Sequence, residues 1–246
     1  MKLDRDLIKG ISVFDMTVLM EIIREIIEKM IRSNPFGMIL KGGTALAYHH
    51  LNWHRESEDL DFDSPLVNKE HIENIKEWFN GLFNELIKDG TIREFEITKS
   101  SFAGTERYHM KIRFKTHRDL HTKIDIDFRE ITSELEYDGE LGFYSSEHML
   151  VSKLITYQGR GTLKDIYDIS HLLKAVDPES YTNRSKLAEL VGEVIMRLEG
   201  QDLNRIYSKA FENVDLRFKN LKKKDLPAFK KRTLRDLNIF RNQLMK

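Results

Sequence analysis

The sequence of 246 residues contains no cysteine, only four prolines and no excess of either charge. The absence of cysteine excludes disulfide bonds, cysteine-ligated zinc sites and thiol nucleophiles. Basic and acidic residues number 40 each, so the net charge indicates no preference for a charged partner. The chain also has no Ser/Gly-rich or low-complexity tract that would act as a long linker.

Long apolar runs are missing as well. No stretch of about 18 apolar residues occurs, so we expect no membrane-spanning helix. The first residues, MKLDRDLIKGISVFD, contain acids and lack an apolar centre, which argues against a signal peptide. We therefore expect a cytoplasmic protein, and 40% hydrophobic residues at this length suffice for a substantial core.

The apolar pattern changes along the chain from mixed to helical. Helical spacing predicts helices over 14–31, 45–51 and 69–88, and short apolar or alternating runs predict strands over 38–40, 59–63, 94–99, 108–115 and 122–128. After Tyr144 the pattern is helical, with helices expected near 146–157, 163–173, 184–198, 203–210 and from 226 onward. This order predicts an α+β fold with one domain over 1–142 and a helical domain over 143–246.

Gly42, Gly43 and Thr44 follow the first predicted strand and precede a short predicted helix. Glycines allow a backbone to approach a phosphate closely, and a helix N-terminus supplies N–H groups and partial positive charge. Thr44 is the residue that we expect to cap this helix. Because the spacing of a P-loop is absent, an ordinary strand-to-helix turn is the alternative.

Carboxylates alternate with apolar residues on two predicted strands. Asp59 and Asp61 share one face of the first strand, and Asp125 and Asp127 share one face of the second together with Lys123. If these strands are neighbours, three carboxylates converge and could hold two metal ions about 4 Å apart. Mg²⁺ prefers such oxygen ligands together with substrate phosphates. A solvated polar face of the sheet is the alternative.

The helical half contains a second group of charged residues. Lys153 and Arg160 could bind triphosphate oxygens, lysine as a point charge and arginine as a fork. Asp165 and Asp168 lie three residues apart, so they are neighbours on one helix surface. A group of salt bridges between adjacent helices is the alternative for these four residues.

Three segments within residues 40–173 together resemble one enzyme family. They comprise Gly42-Gly43-Thr44 with Arg55-x-Ser57-x-Asp59-Leu60-Asp61-Phe62, then Lys123-x-Asp125-Ile126, then Lys153, Arg160 and Lys164-Asp165-Ile166-Tyr167-Asp168. The first resembles the opening motif of the DNA polymerase β-type nucleotidyltransferases. The others resemble the second and third motifs of the AbiEii/AbiGii nucleotidyltransferase toxins. Serine is a common variant where this chain has Thr44, so the hydroxyl is retained.

The resemblance implies a nucleotidyltransferase core with a mixed β-sheet flanked by helices, followed by a helical domain. The implied metal ligands for Mg²⁺, with Mn²⁺ as the alternative ion, are Asp59, Asp61 and Asp125. The implied nucleotide-binding residues are Gly42, Gly43, Thr44, Lys153 and Arg160. The implied catalytic set adds Lys153, Asp165 and Asp168 to the three metal ligands. The last family motif has no clear position, and Asp215 and Asp225 are both candidates.

The resemblance also implies a function. Such a protein would transfer a nucleotide from an NTP to an acceptor, above all tRNA, as the toxin of a toxin–antitoxin or phage-defence system with a cognate antitoxin. The alternatives are a nucleotide-binding protein without transfer activity and an enzyme that modifies a protein hydroxyl. In the first case, Asp61→Asn should abolish transfer while thermal stability stays nearly unchanged.

The C-terminal stretch is strongly basic. The stretch from Phe218 to Lys246 contains ten Lys/Arg residues and only two Asp residues, and its apolar residues recur at helical spacing. A basic amphipathic helix could hold RNA phosphates. A packed terminal helix with solvated lysines is the alternative.

Overall fold

The computed structural model describes residues 13–65, 69–103, 106–210, 218 and 221–246. The chain forms two compact units. The first comprises the residues up to His49 together with Glu56–Tyr144, and the second comprises His50–Arg55 and the residues from Ser145 onward. No sequence pattern indicated that the short segment His50–Arg55 groups with the helical unit, and the proposed domain boundary at residue 142 stays a prediction.

The first unit contains a seven-stranded mixed sheet and three helices among its described residues. Its elements are α1 (Val13–Arg32), β1 (Ile39–Lys41), α2 (Gly42–Ala45) continued by a π-helical turn (Leu46–His50), β2 (Asp59–Ser64), α3 (Lys69–Lys88), β3 (Glu94–Ala103), β4 (Arg107–Lys115), β5 (Asp119–Phe128), β6 (Leu135–Asp138) and β7 (Leu141–Tyr144). The strand order is β3-β4-β5-β2-β1-β7-β6. The pairs β2–β5 and β1–β7 are parallel and the other pairs are antiparallel. The predicted α+β fold with a mixed sheet is confirmed.

The sheet has one apolar face and one charged face because side chains alternate along each strand. On β4, the apolar residues at alternate positions are buried, whereas the charged residues between them are not. Phe83 of α3 packs against Phe95 of β3 and Phe114 of β4, with ring centroids 5.1 and 5.5 Å apart. Helix packing therefore covers the apolar face and leaves the charged residues on the opposite face.

The register of β2 and β5 determines which charged residues meet. Asp61 lies opposite Asp125, and the neighbouring pairs in the same register are Asp59 with Lys123 and Asp63 with Asp127. The two acidic strands are therefore neighbours, which was the condition for their carboxylates to meet.

Two local predictions were wrong or incomplete. Thr44 does not cap α2, because the helix begins two residues earlier, at Gly42, whose φ of +73° allows the chain to turn directly from β1 into the helix. The Thr44 side chain is buried instead, and its hydroxyl donates to the backbone carbonyl of Asp59. Strands β6 and β7 were not predicted, since β7 is a four-residue, fully buried strand without alternation.

The described part of the second unit is helical. Its helices are α4 (Ser146–Arg160), α5 (Leu163–Leu172), α6 (Arg184–Gly200), α7 (Leu203–Ala210) and α8 (Leu226–Leu244). Ser145, Thr162 and Asn183 accept a hydrogen bond from a backbone N–H in the first turn of α4, α5 and α6, respectively. The predicted C-terminal helical region is thus confirmed. No helix in the described parts of the chain combines the length and the apolar character that a membrane span requires.

Candidate active site

Three aspartates of β2 and β5 form what we call the carboxylate cluster: Asp59, Asp61 and Asp125. All three are half-buried on the charged face of the sheet. Asp61 and Asp125 are direct neighbours across the parallel strand pair, whose backbones run about 4.8 Å apart. The structure therefore places on one face of two paired strands the three residues that the sequence suggested as metal ligands.

The carboxylate cluster is short of positive charge at Asp61. Burial, together with the charges of Asp59 and Asp125, raises the pKa of Asp61 to about 6. Lys123 Nζ lies 3.1 Å from Asp59 Oδ2, and His109 Nδ1 contacts Asp125 Oδ1. Within the described residues, no ion pair reaches the Asp61 carboxylate.

This donor set fits a hard divalent cation. The three carboxylates occupy neighbouring positions of two paired strands, and ionisation of Asp61 is opposed by its surroundings. Mg²⁺ and Mn²⁺ prefer carboxylate oxygens, and a cation at this position would relieve the repulsion. The roles of Asp59, Asp61 and Asp125 as metal ligands remain a prediction that this geometry supports.

The glycine turn lies directly beside the carboxylate cluster. A Cβ on Gly42 would lie 2.6 Å from Asp61 Oδ2, so only glycine allows this approach between the turn and the carboxylate. Thr44 connects the glycine turn to β2, because its hydroxyl contacts the Asp59 carbonyl and lies 2.9 Å from Ser57 Oγ. Phosphate binding by Gly42, Gly43 and Thr44 stays a prediction, and the inward-facing hydroxyl of Thr44 leaves backbone groups for that role.

A second pair of acids, Asp63 and Asp127, follows two residues further along the same strands. Lys41 Nζ bridges their carboxylates at 2.5 and 2.6 Å, and Arg129 reaches them at 3.0 and 2.9 Å. Burial would raise the pKa of Asp127, but hydrogen bonds from Arg107 and Lys41 hold it at about 2. We call Asp63 and Asp127 the paired acids. The cations beside these acids were not predicted from the sequence, since Lys41 and Arg107 belong to other strands.

In the second unit, Asp168 is the centre of an ion network. Its Oδ1 accepts from Arg55 Nε at 2.6 Å and lies 2.8 Å from His54 Nε2. Its Oδ2 accepts from Arg55 Nη2 at 2.9 Å and contacts Lys153 Nζ at 2.8 Å. Asp168 is fully buried, which would raise its pKa, but the charges of Arg55 and Lys153 hold the pKa well below the usual value. Arg55 of the first motif is thus the main partner of Asp168 of the third.

Asp165 has its own set of partners in the same unit. Arg160 binds it in bidentate geometry with two distances of 2.7 Å, and Thr162 Oγ1 donates to it at 2.5 Å. Lys153 Nζ lies 3.7 Å from its Oδ1. These contacts match the salt-bridge alternative for Lys153, Arg160, Asp165 and Asp168, whose catalytic and nucleotide-binding roles stay predictions.

The basic C-terminal stretch is partly explained by packing. The apolar residues of α8, among them Phe229, Leu237 and Phe240, are buried. Lys230 Nζ donates to the carbonyls of Glu199 and Gln201 at 2.9 and 2.7 Å, so it caps the end of α6. Of the candidates for the last motif, Asp225 lies in the turn that precedes α8, whereas Asp215 lies outside the described residues.

A scan against protein-family models matches residues 33–245 to one family, described as "Nucleotidyl transferase AbiEii toxin, Type IV TA system". No curated protein sequence matches the chain.

Solved structures show the same fold. JHP933 from Helicobacter pylori is 18% identical with a TM-score of 0.63, and the match covers 94% of this chain and 93% of that one. MenT4, a nucleotidyltransferase toxin from Mycobacterium tuberculosis, is 19% identical with a TM-score of 0.58 and coverages of 93% and 84%. A second H. pylori protein, described as a nucleotidyltransferase, is 18% identical with a TM-score of 0.62 and coverages of 92% and 95%.

Proposed function

The chain belongs to the AbiEii family of nucleotidyltransferase toxins of type IV toxin–antitoxin systems, and from this membership we propose that it transfers a nucleotide from an NTP to RNA in a reaction that depends on Mg²⁺ or Mn²⁺. The acceptor that we propose is tRNA. The observation that carries the proposal is the carboxylate cluster, in which Asp61 has its pKa raised to about 6 beside Asp59 and Asp125.

Each group in the first unit has a proposed task. Asp59, Asp61 and Asp125 would hold the divalent cation, which supplies charge neutralisation for the triphosphate and for the attacking oxygen. Lys123 would keep Asp59 in place through its 3.1 Å contact. The turn at Gly42 and Gly43 would hold phosphate oxygens through its backbone, in a position that the close approach to Asp61 fixes.

The chemistry of the transfer is an in-line displacement. A hydroxyl oxygen of the acceptor attacks the α-phosphorus, a new P–O bond forms, and the bond to pyrophosphate breaks. Positioning and electrostatic stabilisation supply most of the rate in such reactions. The nucleotide-binding roles of Lys153 and Arg160 are proposed from the family resemblance, and within the second unit the carboxylates of Asp165 and Asp168 position these two cations.

The test is incubation of the protein with each NTP labelled at the α-phosphate, with Mg²⁺ and total tRNA. Label in RNA with at least one NTP, and none from the same NTP labelled at the γ-phosphate, is the expected result. Label in a protein band instead of RNA would contradict the acceptor, and nucleotide binding without any label would contradict transfer altogether.

We also propose a cytoplasmic location and a cognate antitoxin, since the family model describes toxins of type IV systems. Expression of the protein should arrest bacterial growth, and co-expression of the neighbouring open reading frame should relieve the arrest. A role in phage defence would appear as a lower phage yield from cells that carry both genes.

A further inference from the structure

Three lysines lie directly opposite one another across three neighbouring strands of the first unit. Lys99 of β3 pairs with Lys111 of β4, and Lys111 pairs with Lys123 of β5. Lys123 in turn lies opposite Asp59 of the carboxylate cluster. We call Lys99, Lys111 and Lys123 the lysine ladder. It runs across the charged face of the sheet from its β3 edge to the carboxylate cluster.

A β-bulge in β3 brings Lys99 into line with the other two lysines of the lysine ladder. Ile97 lies opposite Ile112, but the register shifts by one residue at this point, so that Lys99 lies opposite Lys111. Without the shift, Lys99 would lie opposite the buried residue Met110 and on the apolar face. Bulges commonly change the direction of a side chain next to functional sites. The extra residue therefore moves a positive charge onto the face that carries the carboxylate cluster.

This arrangement sets three like charges in one row, although Lys123 is also paired with Asp59. Like charges that are directly opposite on neighbouring strands destabilise a sheet. Burial lowers the pKa of the nearby His121, the charge of Asp119 opposes this shift, and the charges of Arg113 and Lys111 add to it. Three cations in one register across neighbouring strands offer a row of contacts to an anion that carries several charges.

From the register, the bulge and the position beside the carboxylate cluster, we infer that the lysine ladder binds the phosphodiester backbone of the RNA acceptor and leads it from the β3 edge of the sheet toward the carboxylate cluster. The inference rests on the proposed function and specifies where the acceptor lies.

The length of the lysine ladder favours a polymer over the triphosphate of an NTP. Neighbouring strands are about 4.8 Å apart, so Lys99 lies three strands, or roughly 14 Å, from Asp59 along the sheet. A triphosphate held at the carboxylate cluster therefore does not need Lys99. A chain of phosphates can instead contact Lys99 and Lys111 while its end reaches the carboxylate cluster.

The experiment compares two double variants of the full chain. Lys99→Gln/Lys111→Gln removes two charges from the lysine ladder and leaves Lys123, which contacts Asp59. Lys88→Gln/Lys174→Gln removes two exposed charges from elsewhere and serves as the matched control. Binding of fluorescein-labelled total tRNA is measured by anisotropy from 50 to 250 mM KCl, and binding of a nonhydrolysable NTP is measured in parallel.

For the lysine-ladder variant, we expect the slope of log K against log[salt] to be smaller by about 1 to 2, since each lost phosphate contact removes about 0.7 to 0.9. We also expect RNA affinity at 100 mM KCl to fall by about tenfold or more, with NTP affinity within twofold of the wild type. The control should keep the wild-type slope. The single variant Lys99→Gln, at an exposed position, should give about half the change and serves if the double variant misfolds.

Three results would overturn the inference in distinguishable ways. A wild-type slope for the lysine-ladder variant, together with label transfer to RNA, would remove the lysine ladder as an RNA site and leave the proposed function intact. An equal loss of NTP affinity would assign these lysines to the triphosphate. Failure of the wild-type protein to bind tRNA at 50 mM KCl, with no label transferred to RNA, would remove both the proposed acceptor and the inference.

Discussion

The carboxylate cluster and the paired acids occupy successive positions on the same two strands, yet their electrostatic surroundings are opposite. At Asp63 and Asp127, Lys41 and Arg129 contact both carboxylates, and the pKa of Asp127 is held at about 2. At Asp61, burial and two neighbouring carboxylates raise the pKa to about 6. The same residue type in the same register therefore stabilises the fold at one step of the strand pair and opposes folding at the next. A position that opposes folding in this way is a strong candidate for function.

The largest effect that separates the two positions is on catalysis. Asp61→Asn should lower nucleotide transfer by about a thousandfold or more, because an amide is a poor ligand for Mg²⁺ and cannot complete the carboxylate cluster. The initial rate of label transfer to tRNA measures the loss. Transfer at more than a tenth of the wild-type rate would remove Asp61 from the proposed metal site.

The paired acids should show the opposite pattern, with the main effect on stability. Asp127→Asn leaves Arg107 without its carboxylate and removes one of the two carboxylates that Lys41 contacts, and the removal of one partner from a largely buried ion pair costs several kcal/mol. Because the Arg107 side chain is 50% exposed, we expect a smaller loss of about 2 to 3 kcal/mol in the free energy of unfolding at pH 7. Urea denaturation measures it.

The loss should also depend on pH. The pKa of Asp127 is lower in the folded protein than its usual value of 3.8, so its contribution is present above about pH 4 and disappears as the pH falls toward 2. A variant that is as stable as the wild type at pH 7 would show that the cations around Asp127 contribute nothing to the fold.

The contrast between the carboxylate cluster and the paired acids could be predicted from the sequence only where it depends on residues close together in the chain. Alternating Asp and apolar residues on β2 and β5 predicted both strands and the side that their acids share, because that pattern is local. The cations that neutralise Asp63 and Asp127 come from Lys41 on β1 and Arg107 on β4, and only the strand order β4-β5-β2-β1 brings them together. No local pattern contains that order, so the neutralisation of Asp63 and Asp127 could not be predicted, and only the family resemblance separated Asp125 from Asp127.

In the helical half, too, contacts between residues distant in sequence were not predicted. The helices follow local rules, and their bounds were predicted within a few residues, whereas their caps at Thr162 and Asn183 were not predicted. The contact between Arg55 and Asp168 joins residues 113 positions apart, so it depends on tertiary structure alone. The Thr44 cap was wrong for a local reason, since a glycine with positive φ moved the start of α2 to Gly42.

A smaller effect should appear in the stability of the Asp61 variant. The pKa of Asp61 is higher in the folded protein than its usual value of 3.8, so the folded state binds protons more tightly than the unfolded chain. Ionised Asp61 therefore opposes folding above about pH 6. Without divalent cations at pH 8, Asp61→Asn should raise the free energy of unfolding by about 1 to 3 kcal/mol.

This gain should decline as the pH falls from 6 to 4, where Asp61 becomes protonated in the wild type. Urea denaturation in EDTA at pH 8 and at pH 4 provides the comparison. The sequence alone predicted nearly unchanged stability for Asp61→Asn, whereas the raised pKa of Asp61 predicts a gain at pH 8. Equal stability of the variant and the wild type at pH 8 would support the prediction from the sequence.

The smallest expected effects concern Thr44, which supports the carboxylate cluster without belonging to it. Its buried hydroxyl donates to the carbonyl of Asp59, so Thr44→Val should leave that acceptor without its donor and lower the free energy of unfolding by about 1 to 2 kcal/mol. Thr44→Ser keeps the donor and loses one methyl group, for which we expect a loss of about 1 kcal/mol or less in the free energy of unfolding.

If the hydroxyl positions Asp59, transfer should fall by about tenfold in the valine variant and remain near the wild-type rate in the serine variant. Equal transfer by both variants would mean that the backbone alone holds Asp59, and that the contrast between the carboxylate cluster and the paired acids depends only on the charges around them.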